Sequence, residues 1–132
     1  MKSSQPNTSE QPPAISASSP RKNPCIGSDP NIAALEVIAD DGISYLLPYA
    51  QFLYAERTAN PALEKEPEVP PEKISIHFAC ADVIVLGSGL NWLERRLQQY
   101  ELSFVKPADS RLGGVYDTLI AAVTLTLIKE RV

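Results

Sequence analysis

Three groups of residues in this sequence have the types and spacing to do chemistry. The first is Gly87-Ser88-Gly89. It lies between the apolar run at 83–86 and a segment of helical spacing, Leu90-Asn91-Trp92-Leu93-Glu94-Arg95-Arg96-Leu97. A strand, a Gly-x-Gly turn and a helix can present backbone N–H groups to a pyrophosphate at the helix N-terminus. Here the third glycine position is Trp92, a bulky ring where that motif needs close helix–strand packing. Only 30 residues follow Leu102, too few for the rest of a dinucleotide-binding fold. The glycines are therefore expected to let the chain reverse from strand into helix, and no cofactor is expected.

The second group is His77, Cys25 and Cys80. His77 is the only histidine, a candidate for a general base or a pH switch. It alternates with the apolar residues around it, so it is expected on the outer face or rim of a sheet with no catalytic role. Two cysteines make neither a disulfide framework nor a zinc site. Ser44, Ser75, Ser88 and Ser103 stand in no Gly-x-Ser-x-Gly elbow. The expected catalytic and metal-binding residues are none. The third group is Trp92, Arg95, Arg96 and Tyr100. Tryptophan, tyrosine and arginine carry much of the energy of protein interfaces, and these four form the candidate interaction patch.

The elements that position these residues follow from periodicity. Ile74, Ile76, Phe78 and Cys80 alternate with Ser75, His77 and Ala79, which predicts a half-buried strand. Ala81-Asp82 is the expected turn, and 83–86 the expected second strand of a hairpin, buried on both faces. Leu90, Leu93, Leu97 and Tyr100 form one stripe of an amphipathic helix, capped by Ser88 or Asn91. Upstream, Asp40-Asp41-Gly42 separates apolar runs at 34–39 and 43–47, a strong hairpin signal. Pro48 must end that ladder. A short turn and a third strand are expected over 49–58. Residues 60–73 hold four prolines and four glutamates, which predicts an exposed acidic loop. A brief return strand is expected at 103–106, a loop around Gly113-Gly114, and in 116–132 a closing strand, favoured by the Thr-Leu-Thr-Leu alternation over the helix that Leu119, Val123 and Leu127 would equally allow.

The 132 residues suit one small domain at 31–132, preceded by a disordered Ser/Pro-rich tail at 1–30. The net charge is −4, and it is uneven. Residues 1–30 hold three basic and two acidic groups, residues 31–132 nine and fourteen. That balance argues against nucleic acid as a partner, which needs lysine and arginine to neutralise phosphates. No run reaches the 18 or so apolar residues of a membrane span. The N-terminus has no apolar core of a secretory signal, so the expected compartment is cytoplasmic.

Residues 35–105 resemble small bacterial proteins that form a family of unknown function. The resemblance rests on Asp41-Gly42, Ser44, Leu47-Pro48-Tyr49-Ala50, and Gly87-x-Gly89-Leu90 with Leu93. It covers about half the chain and implies a compact sheet-plus-helix domain without an activity. The acidic loop and the tail are not part of that pattern. Together these readings predict an α+β fold: an antiparallel sheet or half-open barrel of about five to six strands, with one packed helix. The expected function is a non-enzymatic protein-interaction or assembly domain, with a protein partner or self-association as a homodimer. The alternative is a small-molecule binder or accessory enzyme subunit with a pocket between helix and sheet.

Overall fold

The computed structural model describes residues 23–109 and 116–129. In chain order the strands are β1 (Ile26–Ser28), β2 (Ala34–Ile38), β3 (Ser44–Pro48), β4 (Phe52–Ala59), β5 (Glu72–Phe78) and β6 (Ala81–Ser88). Helix α1 (Leu90–Gln98) follows, then β7 (Leu102–Val105) and β8 (Leu119–Leu127). They form two four-stranded sheets, ordered β1-β7-β2-β3 and β4-β5-β6-β8. The class is thus mostly sheet with one helix, and the sheets do not close into a barrel. The strand number exceeds the expected five or six, partly because β1 lies in residues assigned to the tail. Asn23 to Pro30 belong to the folded unit: Cys25 is fully buried, and Lys106 N donates to its carbonyl at 2.9 Å. The reading of residues 1–22 as tail, and of Gly113-Gly114 as loop, lies outside the described residues.

The division into two sheets begins at Pro48. It has no N–H to extend the ladder, and a 3-10 turn at Tyr49–Gln51 redirects the chain into β4. The Asp-Gly hairpin forms as expected, with β2 and β3 paired from Ala34↔Pro48 to Ile38↔Ser44. Its turn is of another type, because only Gly42 has positive φ, at 86°. Gly42 N donates to Ala39 O at 2.8 Å and Ala39 N to Ile43 O at 3.0 Å, a three-residue loop with a glycine bulge. The second hairpin turns at Ala79-Cys80, two residues before the expected Ala81-Asp82, because Ala81 faces inward and His77 pairs with Asp82. β6 is covered on one face only: Ala81, Val83 and Val85 are fully buried and Ile84 is exposed. β7 pairs antiparallel with β1 but runs parallel to β2, Glu36 facing Phe104 and Val37 facing Val105, so the sheet is not antiparallel throughout as expected.

One core joins both sheets and the helix. Leu35, Val37 and Val105 meet Ile74, Ile76, Phe78, Val83 and Val85. Leu90, Leu93 and Leu97 bury the helix stripe in the same cluster. Each such leucine contributes roughly 1.5–3 kcal/mol, enough to dock a nine-residue helix that is marginal alone. The helix cap differs from both expected residues. Gly89 is the N-cap, at φ 65°, with no side-chain cap of its own. Instead the Glu72 carboxylate accepts from Leu90 N at 2.9 Å, placing negative charge at the helix N-terminus. Tyr100 falls beyond the helix, at φ 59° and half exposed, so it is not part of the buried stripe. No helix among the described residues is long and apolar enough to cross a membrane.

Candidate functional site

An edge strand presents backbone N–H and C=O groups on its outer side, and these must meet water, a plug or a partner. β4 and β8 are the two edges of one sheet. β8 is plugged. Asp40 N donates to Val123 O at 2.9 Å, and Asp40 Oδ1 accepts from Val123 N at 2.9 Å. Ala108 N donates to Ile120 O at 2.8 Å, and Asn23 Nδ2 to Thr118 O at 2.9 Å. On β4, by contrast, no backbone bond from another described segment reaches the outer edge. It is eight residues long, contains no proline and is mostly exposed, with Leu53 50% and Tyr54 52% accessible. The other sheet offers less: β1 has three residues, and β3 has five and ends in Pro48.

Helix α1 lies along the inner flank of β4. Arg57 on the strand holds Glu94 on the helix at 3.0 Å, an exposed pair of modest value, roughly 0.2–1 kcal/mol. Between them runs a groove of about 450 Å³ lined by Phe52, Tyr54, Ala55, Glu94, Leu97 and Gln98. Phe52 joins the groove to an aromatic cluster. Tyr100 stacks on Tyr49 with ring centroids 5.1 Å apart, and Phe52 meets Tyr100 edge-on at 5.9 Å. Phe78 completes the cluster from β5, 5.5 Å from Phe52. Tyr49 ties it to the other sheet, donating its hydroxyl to Leu102 O at 2.7 Å. Burial pushes the Tyr49 hydroxyl well above the usual tyrosine range.

The four expected patch residues are thus divided. Trp92, 40% exposed, has the Arg95 guanidinium 5.7 Å from its ring centroid. Tyr100 belongs to the aromatic cluster that Phe52 joins to the β4 groove. Arg96 works through its backbone, its carbonyl accepting from Gln99 N and Glu101 N to close the helix. The structure adds Phe52, Tyr54 and Ala55, which the sequence reading placed in a third strand without assigning a role. The alternation of Phe52 and Tyr54 with Leu53 and Ala55 signals a strand; that the strand is an edge follows only from the sheet order.

His77 lies on the outer face of β5. Its Nδ1 is 2.8 Å from Asp82 Oδ1, and its ring stacks on Tyr54 at 4.4 Å. Nε2 is sealed from solvent without a hydrogen-bond partner. Cys25 and Cys80 are both free thiols, and burial raises the Cys25 thiol above its ordinary value. Among the described residues no three His, Cys, Asp or Glu side chains gather to hold a metal ion. The Gly-x-Gly glycines serve close packing. A Cβ on Gly87 would lie 2.3 Å from Leu119 O, and one on Gly89 would lie 1.8 Å from Asp117 O. A larger cleft, about 520 Å³, lies at that end of the sheet against Pro70, Pro71, Ser88, Leu119 and Ile120, away from the helix–sheet groove. Comparison with family models, curated proteins and solved structures finds no match to this chain.

Proposed function

We propose that this chain is a non-enzymatic protein-interaction or assembly domain, and that the β4 edge with α1 beside it meets the partner. One observation carries the reading: within a single sheet, β8 has outer-edge groups bonded at Ile120 and Val123 by segments of the neighbouring sheet, and β4, an exposed edge of similar length, is met by no such segment among the described residues. Edges without a plug, a proline or a covering loop pair with other chains. β4 has none of these, and Leu53 and Tyr54 add apolar surface beside it. The partner is another protein or a second copy of this chain. Light scattering over a wide concentration range reads self-association, and amide hydrogen exchange under associating conditions locates the surface. Protection concentrated in 52–59 supports the proposal. Association that leaves those amides exchanging as in the monomer overturns it.

A further inference from the structure

The geometry points to the occupant of this edge: an extended peptide segment of a protein partner, apolar in one half and basic in the other, added as a fifth strand beside β4. The inference rests on the interaction reading above and names the chemistry of the partner. An open strand edge is satisfied in register only by another extended backbone, which would lie about 4.8 Å beyond β4. Successive side chains of such a strand point to opposite faces. Those on the inner face enter the groove between β4 and α1.

The groove is not uniform along its length. At the Phe52 end the surface is apolar and aromatic, built from Phe52, Ala55, Leu97 and the half-exposed Tyr100. Hydrocarbon or ring side chains fit there. At the Ala59 end the chain enters the acidic loop. Asn60 fastens that loop back on itself, its N–H donating to Pro71 O at 2.9 Å and its amide to Pro70 O at 2.8 Å. Glu64, Glu66 and Glu68 are exposed on it with Lys65 as the one cation among them. Glu56 is exposed on β4 itself, while Arg57 is engaged by Glu94. Glu64 stands five residues beyond Ala59, at the end of the 3-10 turn Pro61–Glu64, so the occupant's end at Ala59 faces the acidic start of the loop, and such charges act over about the 8 Å Debye length at physiological salt. Lysine or arginine in that half of the occupant is favoured and glutamate repelled. This also gives a role to the Pro-rich acidic loop, where Glu72 bonds Leu90 N and the side chains of Glu64, Glu66 and Glu68 make no hydrogen bond or ion pair among the described residues.

The test uses the full chain and two fluorescein-labelled octapeptides. One alternates lysine and threonine in its first half and valine and threonine in its second, the order that an antiparallel fifth strand on β4 requires; the other has glutamate in place of lysine. Fluorescence anisotropy gives affinity, and backbone amide chemical shifts locate the site. The lysine peptide is expected to bind about tenfold or more tightly than the glutamate peptide at low salt. That advantage should vanish at high salt, and in the triple variant Glu64→Gln, Glu66→Gln, Glu68→Gln, whose changes are all on exposed loop positions. Shifts should concentrate on 52–59 and on the Glu94–Gln98 flank. Equal affinities with shifts on β4 would overturn the basic half of the occupant while leaving strand addition intact. Absence of β4 shifts with either peptide would overturn the peptide occupant altogether. Self-association through 52–59 would still uphold the broader reading.

Discussion

β4 and β8 are edges of the same sheet, of nearly equal length, and the chain treats them differently. β8 is met by Asp40 from the β2–β3 turn, by Ala108 after β7 and by Asn23 before β1. All three come from the neighbouring sheet or its connections, so the plug also holds the two sheets together. β4 faces only β5 and the flank of α1, with Arg57–Glu94 as its side-chain tether. The lesson is that edge protection here is a by-product of joining the sheets. The seam is built at β8 because β7 and the β2–β3 turn end there, and the far edge is left with no covering segment.

The largest test of that contrast acts on the seam. Gly89 has φ 65°, and an added Cβ would lie 1.8 Å from Asp117 O, against backbone that leads into β8. Thr118 Oγ1 donates to Gly89 O at 2.8 Å, so the two segments are also bonded. Gly89→Val combines a strained backbone with overpacking and is expected to cost about 3–5 kcal/mol by urea denaturation. Loss below about 1 kcal/mol would mean that the close approach is not needed to seat β8. A milder cut is Asp40→Ala, which leaves Val123 N–H without its acceptor. The expected cost is about 1–2 kcal/mol, with faster amide exchange at Val123 and a new tendency to associate. Asp40→Asn keeps a carbonyl acceptor and should recover most of the protection. Unchanged exchange at Val123 in Asp40→Ala would show that the plug does not guard that edge.

What could be read in advance follows the same division between local and distant causes. The Asp-Gly hairpin, the alternation of 74–78 and the leucine stripe are written within a few residues, and all three stand in the fold. The inward leucines of α1 fall where the spacing placed them. β1 escaped because its three residues, Ile26-Gly27-Ser28, have no period. They form a strand only because β7 lies beside them, with Gly27 close under the Phe104 ring. The parallel β2–β7 contact joins segments more than sixty residues apart, which no local pattern encodes. Asp40 read as a turn residue, and it is one; that its carboxylate also caps Val123 depends on how the sheets pack. For the site, the helix patch was visible as residue types. Its division, with Tyr100 drawn to Tyr49 and Trp92 left beside Arg95, depended on where the helix ended.

Tyr49 anchors the start of β4, and alkaline pH tests that anchor. Its folded-state pKa is raised above the unfolded value of about 10, so the neutral phenol is the form that the fold favours. The stability it contributes is complete below about pH 10 and is lost as pH rises further toward the folded value. Tyr49→Phe should begin about 1 kcal/mol less stable at neutral pH, because Leu102 O loses its donor. Its stability should then fall less steeply above about pH 10 than that of the parent. Parallel alkaline slopes in the two proteins would show that Tyr49 does not carry this pH dependence.

The smallest expected effect on stability discriminates most sharply between the edges. Leu53 on β4 is 50% exposed and Leu119, beside the plugged part of β8, is 42% exposed. Lysine at either position removes apolar surface and adds the charge that natural sheets use to guard their edges. Each change should alter stability by no more than about 0.5 kcal/mol, since neither side chain fills the core. Association is expected to respond unequally. Leu53→Lys should lower it severalfold in light scattering or peptide binding, because a strand laid on β4 meets a solvated charge where it now meets hydrocarbon. Leu119→Lys should leave it unchanged, since Ala108, Asn23 and Asp40 already occupy the neighbouring backbone positions on β8. Equal losses from the two variants would mean that the edges are equivalent despite their different hydrogen bonding, and the contrast would then have no functional content.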